Sequence, residues 1–244
     1  MMINVDALKD RLITELWLPI AIEAGTGFYP KLRKNKKMRL FSLTNDRNFN
    51  EIVRFEENKL TQRENVAVWT KDTLKRIRLE TESIDIVLGG SPYEQSILGN
   101  NCPLQEHFPR DIINLDFTSQ DPDLGNGRIE KELESLEKTV KLQDQKQGKN
   151  FLLIYTTIID SNNLNKGGVI QTSDSIRVNG WSGLNINNFL QPISDESRKE
   201  AFIAETIQRM CQKYGYRSSR TDNKVVDIPI RNEKLYSMVG IYMR

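Results

Sequence analysis

Five continuous apolar runs alternate with stretches whose apolar residues recur every three or four positions. This alternation constrains the chain more than any other feature. The runs are IAIE at 20–23, LFSL at 40–43, IDIVL at 84–88, IINLDF at 112–117 and FLLIYTTII at 151–159. Runs without polar alternation fit strands covered on both faces, as in a parallel sheet. Helical patterns lie around them. Val5, Leu8, Leu12 and Leu16 form a stripe that predicts a helix over 6–17, and Pro19 reads as its stop. Ile129, Leu133, Leu136 and Val140 form a second stripe, with Gly148 after it. Ile203, Ile207, Met210 and Tyr214 form a third, opened by SDES and closed by Gly215. Segment 50–82 holds more helical material, and its VAVW at 66–69 fits a strand as well. Runs at 225–230 and 236–243 flank a short polar turn and predict a hairpin. The order predicts an α/β fold with a doubly wound, mostly parallel sheet and a C-terminal β-hairpin.

The length, 244 residues, suits one domain over 1–244, with an N-terminal helix at about 6–17 and a long loop over 161–193. That loop is rich in Asn, Gly and Ser and carries Trp181, and loops of this length in compact domains tend to be functional. Cys102 and Cys211 lie far apart, and His107 is the one histidine. That excludes most zinc sites and most histidine-dependent mechanisms. DPDLGNGRIEKE places Asp121, Asp123 and Glu132 at the first, third and twelfth positions of a calcium loop. Its required glycine is Asn126, so the segment reads as a loop entering a helix. The net charge of +2 gives no global basic field. Charge is local: Lys31, Arg33, Lys34, Lys36 and Lys37 form one basic patch and YRSSR at 216–220 another. A protein and a nucleic acid are therefore candidate partners, bound through phosphate or acidic groups. The chain has no apolar run long enough to span a bilayer and no signal-like start, so a cytoplasmic protein off the membrane is expected.

In an open α/β sheet, ligands bind beyond the carboxyl ends of the strands, where the strand order reverses. Glycine in the first turn lets the backbone approach the ligand. An acid after the second strand can accept ribose hydroxyls. With IAIE as the first strand, Glu23, Gly25 and Gly27 make an E-x-G-x-G turn, and Asp46 follows the second strand. This pattern resembles the class I S-adenosylmethionine-dependent methyltransferases, whose first motif is an acid-x-Gly-x-Gly turn. The terminal hairpin is similar to that family's antiparallel ending. The resemblance covers strand order over most of the chain and specific residues only over 19–46. It implies a Rossmann-like methyltransferase fold and S-adenosylmethionine as cofactor. The glycine turn would lie under the methionine part and Asp46 at the ribose.

The dinucleotide fingerprint is broken by Pro30, and no phosphate-binding P-loop occurs. GGSPYE at 89–94 resembles the base-clamping loop of amino-methylating enzymes, but Gly90 stands where the amine acceptor belongs. Counted as the loop after strand three, it puts Gly90 and Ser91 near the adenine. Strand four ends at Asp116, the candidate catalytic acid, which could act as a base toward a poor nucleophile. The expectation is an S-adenosylmethionine-binding, methyltransferase-like protein of unspecified acceptor. The alternative is a catalytically inactive subunit of the same fold that binds a protein or nucleic acid. Bulky Phe28 and Tyr29 beside the glycine turn favour the alternative.

Overall fold

The computed structural model describes residues 5–28, 37–43, 49–70, 84, 86–89, 93–98, 103–118, 128–160, 196–228 and 233–244. Seven strands form one sheet: β1 (Leu40–Leu43), β2 (Val66–Thr70), β3 (Ile86–Gly89), β4 (Ile112–Phe117), β5 (Asn150–Asp160), β6 (Arg217–Ile228) and β7 (Glu233–Met243). Their order is β3-β2-β1-β4-β5-β7-β6. The first five strands run parallel. β7 lies antiparallel against β5 and β6 antiparallel against β7, which is the expected hairpin at greater length. The doubly wound sheet is thus as the alternation predicts, and VAVW is strand β2.

The strands are continuous apolar runs because both faces are covered. Phe41, Leu43, Trp69, Ile113, Leu115 and Phe117 enter one core, packed under α4 (Tyr93–Leu98), α5 (Arg128–Gln145) and α6 (Glu196–Lys213). Their neighbours Leu40, Val66, Val68, Ile112, Leu152 and Ile154 enter a second core on the opposite face. Each such side chain contributes about 1.5–3 kcal/mol when fully buried. On α5 the predicted stripe of Leu133, Leu136 and Val140 is buried, and α6 ends before Gly215, whose φ of +82° a side chain would resist.

The second face is closed by α3 (Asn50–Glu57) and by a helical stretch over residues 5–28. That stretch consists of α1 (Val5–Leu12), a π-helical segment (Ile13–Trp17) and α2 (Leu18–Phe28). It corrects the reading of 20–23 as a strand. Pro19 does not stop the helix. Proline has no N–H and crowds the carbonyl four residues back. Here the backbone widens just before it, and the Leu18 N–H bonds Ile13 O, five residues back. Beyond the proline, Ile20, Ala21 and Ala24 continue the buried stripe begun by Leu16 and Trp17.

Two ion pairs fix how this helix runs. Glu15 pairs with Lys224 and Glu23 with Arg220, both on β6. Lys224, then Arg11, hold the Glu15 carboxyl below its usual range. Asp222, then Glu23, raise Arg220. Eight helical residues advance about 12 Å while the contacts move four residues back along β6, about 13 Å. The helix therefore descends antiparallel to β5, and α1 is the end nearest the carboxyl edge of the sheet.

Candidate functional site

β1 pairs with β2 on one side and β4 on the other. The strand order reverses there, which places the ligand crevice of an open α/β sheet at the carboxyl ends of β1 and β4. This moves the site away from the predicted glycine turn. Glu23, Gly25 and Gly27 lie in α2, not in a turn after a strand. Glu23 is exposed and bound to Arg220. Gly25 packs toward Met38 and Leu60, and Gly27 faces open space. LFSL is the first strand of the sheet, so Asp46 follows strand one in the chain, not strand two. Its own position falls outside the described residues, as do Gly90 and Ser91. The first strand–helix connection, 44–49, contains no glycine. Its last residue, Phe49, is buried with φ 51° and ψ 37°, a left-handed conformation that costs a side-chain-bearing residue about 1–2 kcal/mol.

Asp116 sits where the sequence places it, as the penultimate residue of β4. Its surroundings are new. Lys9 of α1 places its Nζ 2.6 Å from Asp116 Oδ2, with side-chain exposures of 4% and 5%. Asp116 Oδ1 accepts the backbone N–H of Thr118 at 3.1 Å. In register with Asp116 stand Thr156 on β5 and Ser237 on β7. Trp17 Nε1 donates to Ser237 Oγ at 2.8 Å, and Thr156 and Ser237 share a hydrogen bond of 3.0 Å. Two residues before Asp116, Asn114 donates to Ser42 Oγ, which donates to the buried Glu51 of α3. Asn114 Oδ1 is buried and unpaired. The carboxyl edge between β1 and β5 is thus a polar band on an otherwise apolar face, and it is rich in acceptors.

Gly89 closes β3 with φ +149°. A Cβ there would lie 1.6 Å from Thr70 O, so only glycine lets the ends of β2 and β3 meet. Tyr93, from GGSPYE, is not a base clamp. It is buried against Phe41, Trp69 and Phe117, with its hydroxyl 2.5 Å from Thr139 Oγ1. Glu132 stands at the twelfth calcium-loop position in the sequence. It is a buried residue of α5 whose Oε2 accepts Tyr155 Oη at 2.9 Å and Thr157 Oγ1 at 2.7 Å. Asp121 and Asp123 lie outside the described residues. Among the described residues no group of three His, Cys, Asp or Glu could hold a metal.

Of the basic patch, Lys37 is described, and its Nζ donates to Lys59 O at 2.7 Å. Lys31, Arg33, Lys34 and Lys36 lie outside the described residues, as does the 161–193 loop with Trp181. In YRSSR, Tyr216 is buried with its hydroxyl on Gly148 O, and Arg220 is spent on Glu23 and Asp222. Cys211 is buried, and burial pushes its thiol well above the usual range. No helix among the described residues is long and apolar enough to cross a membrane.

Sequence reasoning missed Lys9, and it named Glu132 only as a calcium-loop position, not as a buried partner of Tyr155 and Thr157. Both stand on buried helix faces, Lys9 four residues before Ile13 and Glu132 four before Leu136. A charge on an apolar stripe is the signal that could have found them.

No family model matches the chain, and no curated protein matches it by sequence. Solved structures do resemble it in shape. TYW2 of M. jannaschii, crystallised with AdoMet, superposes with a TM-score of 0.45 at 8% identity, covering 93% of this chain and 75% of that one. TYW2 of P. horikoshii, with MeSAdo, gives 0.43 at 9%, covering 91% of this chain and 61% of that one. TrmN of Thermus thermophilus gives 0.38 at 11%, covering 90% and 48%. The chain thus spans half to three quarters of the length of these proteins. The fold itself rests on the strand order: a parallel sheet reversing between β1 and β4 and ending in an antiparallel hairpin, a doubly wound, Rossmann-like arrangement.

Proposed function

We propose that this chain binds S-adenosylmethionine at the carboxyl edge of β1 and β4 and is methyltransferase-like, with an acceptor still to be found. The observation that carries the reading is the strand reversal between β1 and β4, with the polar band of Asn114 and Asp116 beside it. The cofactor bears an ammonium and a sulfonium, and an acceptor-rich edge suits such groups. Asn114 Oδ1, buried and unpaired, is an acceptor still seeking a donor. When bound, the cofactor would supply an activated methyl group. The chain would contribute alignment and exclusion of water, which is most of what methyl transfer from a sulfonium requires.

The revised strand count reassigns the acids. The resemblance calls for an acid in the first connection and another after strand two. Asp46 stands in the first connection, and Asp72 follows β2 by two residues. Titration calorimetry with S-adenosylmethionine and S-adenosylhomocysteine tests the reading, with Asp72→Ala and Asp46→Ala alongside. Binding by the wild type that Asp72→Ala loses supports it. A folded wild type that binds neither ligand ends it.

A second reading is a binding subunit without catalysis. It is favoured by the Lys9–Asp116 pair, which commits the candidate catalytic carboxylate to an ammonium of the same chain. Cofactor binding without methyl transfer to protein or RNA fractions would select it.

A further inference from the structure

The π segment has a geometric consequence at the site. Lys9 and Trp17 both reach polar groups of a single register row across β4, β5 and β7. In an unbroken α-helix, residues eight apart differ by about 80° around the axis; one extra residue in a π turn reduces this to about 20°. The π segment begins four residues after Lys9 and ends at Trp17, and it brings both onto the sheet-facing side. Lys9 is also six residues before Glu15, about 9 Å nearer the carboxyl edge. α1 thus stands beside the crevice and sends an ammonium group to the end of β4.

A buried ion pair adds little net stability over apolar groups of similar shape. Its place at the ligand edge needs another reason. Both oxygens of Asp116 are held, Oδ2 by Lys9 and Oδ1 by the Thr118 N–H, so the carboxylate has one orientation. We propose that Lys9 is a positioning residue for Asp116 in the carboxyl-edge site, and that the π segment aims it. The inference rests on the reading of that edge as the S-adenosylmethionine site. Lys9 does its work through Asp116 and from an element distant in sequence, so α1 is part of the site's wall as well as of the core.

The test is calorimetric binding of S-adenosylmethionine to the full chain and to Lys9→Met, Lys9→Arg, Asp116→Asn and the Lys9→Met/Asp116→Asn pair, each checked for folding by circular dichroism. Lys9→Met should weaken binding at least tenfold, and Lys9→Arg should recover most of it. In the Asp116→Asn background, Lys9→Met should add no further loss, because its route runs through Asp116. Should Lys9→Met fail to fold, the double variant decides: its charges are removed together, and binding like the wild type overturns the proposal. A folded Lys9→Met that binds like the wild type overturns it as well, whatever its melting temperature, and leaves the cofactor reading standing. A wild type that binds neither ligand overturns both.

Discussion

Lys9 Nζ lies 2.6 Å from Asp116 Oδ2, joining the first helix to the end of β4 across 107 positions of sequence. Both side chains are almost fully removed from water. Removing one partner strands the other as a buried charge, which costs about 3–5 kcal/mol, whereas removing both costs far less. Lys9→Met should therefore lower stability by about that amount. Adding Asp116→Asn should restore most of the loss. Urea unfolding of the two variants measures the difference directly, and equal losses in both would deny the pair its buried setting.

The glycines separate the helical reading of 18–28 from a ligand-binding turn. Gly27 is in α2, and a Cβ added there would meet nothing within 4 Å. Gly27→Ala should then stabilise the protein by about 0.5–1 kcal/mol and leave ligand binding unchanged. Gly89→Ala should do the opposite, at a cost of about 2–4 kcal/mol, because its φ is +149° and its Cβ would overlap Thr70 O. Denaturant midpoints of both variants give the comparison. Destabilisation by Gly27→Ala would reopen the turn.

Which parts of the fold could be read from sequence follows from how local their causes are. IINLDF and FLLIYTTII are long, β-rich and bounded by turn residues, and they are β4 and β5. The stripe through Leu133, Leu136 and Val140 is helical at every step, and it is α5. IAIE is four residues, too short to distinguish strand from buried helix. Pro19 tips it the wrong way, because the π turn that accommodates a proline leaves no local mark. Once Trp17, Ile20, Ala21 and Ala24 are taken together, the spacing of three, one and three is helical. That error makes LFSL the second strand instead of the first and carries Glu23, Gly25, Gly27 and Asp46 with it, while VAVW as β2 keeps the later strands at their numbers. Asp116 keeps its place because its strand is secure. Lys9 is marked by its place on an apolar stripe, but its pairing with Asp116 could not be read, since only the folded sheet brings residues 9 and 116 together.

Trp17 offers a check on how the N-terminal helix is seated. Its indole N–H donates to Ser237 Oγ, and its ring is among the largest fully buried side chains. Trp17→Phe keeps much of the ring but loses the donor. Ser237 still has Thr156, so no hydroxyl is orphaned. The cost should be about 1–2 kcal/mol. A larger loss, read from urea unfolding, would mean that the indole fixes the helix rather than filling space.

Alkaline pH should unfold the protein through its buried tyrosines. Burial, outweighing the nearby Arg244, pushes Tyr216 up to about 12. Burial also raises Tyr214, Tyr236 and Tyr242 above their usual range. A phenol with a raised folded pKa contributes its full stability below the unfolded value, about 10, and loses it as pH climbs through the folded value. Each such group steepens the loss by about 1.4 kcal/mol per pH unit within that window. Stability should thus hold up to about pH 10 and fall steeply between about 10 and 12, with Tyr216→Phe shallower than the wild type. Following tyrosinate absorbance and circular dichroism together tests this. Phenols that ionise near pH 10 while the chain stays folded would show that they are open to water.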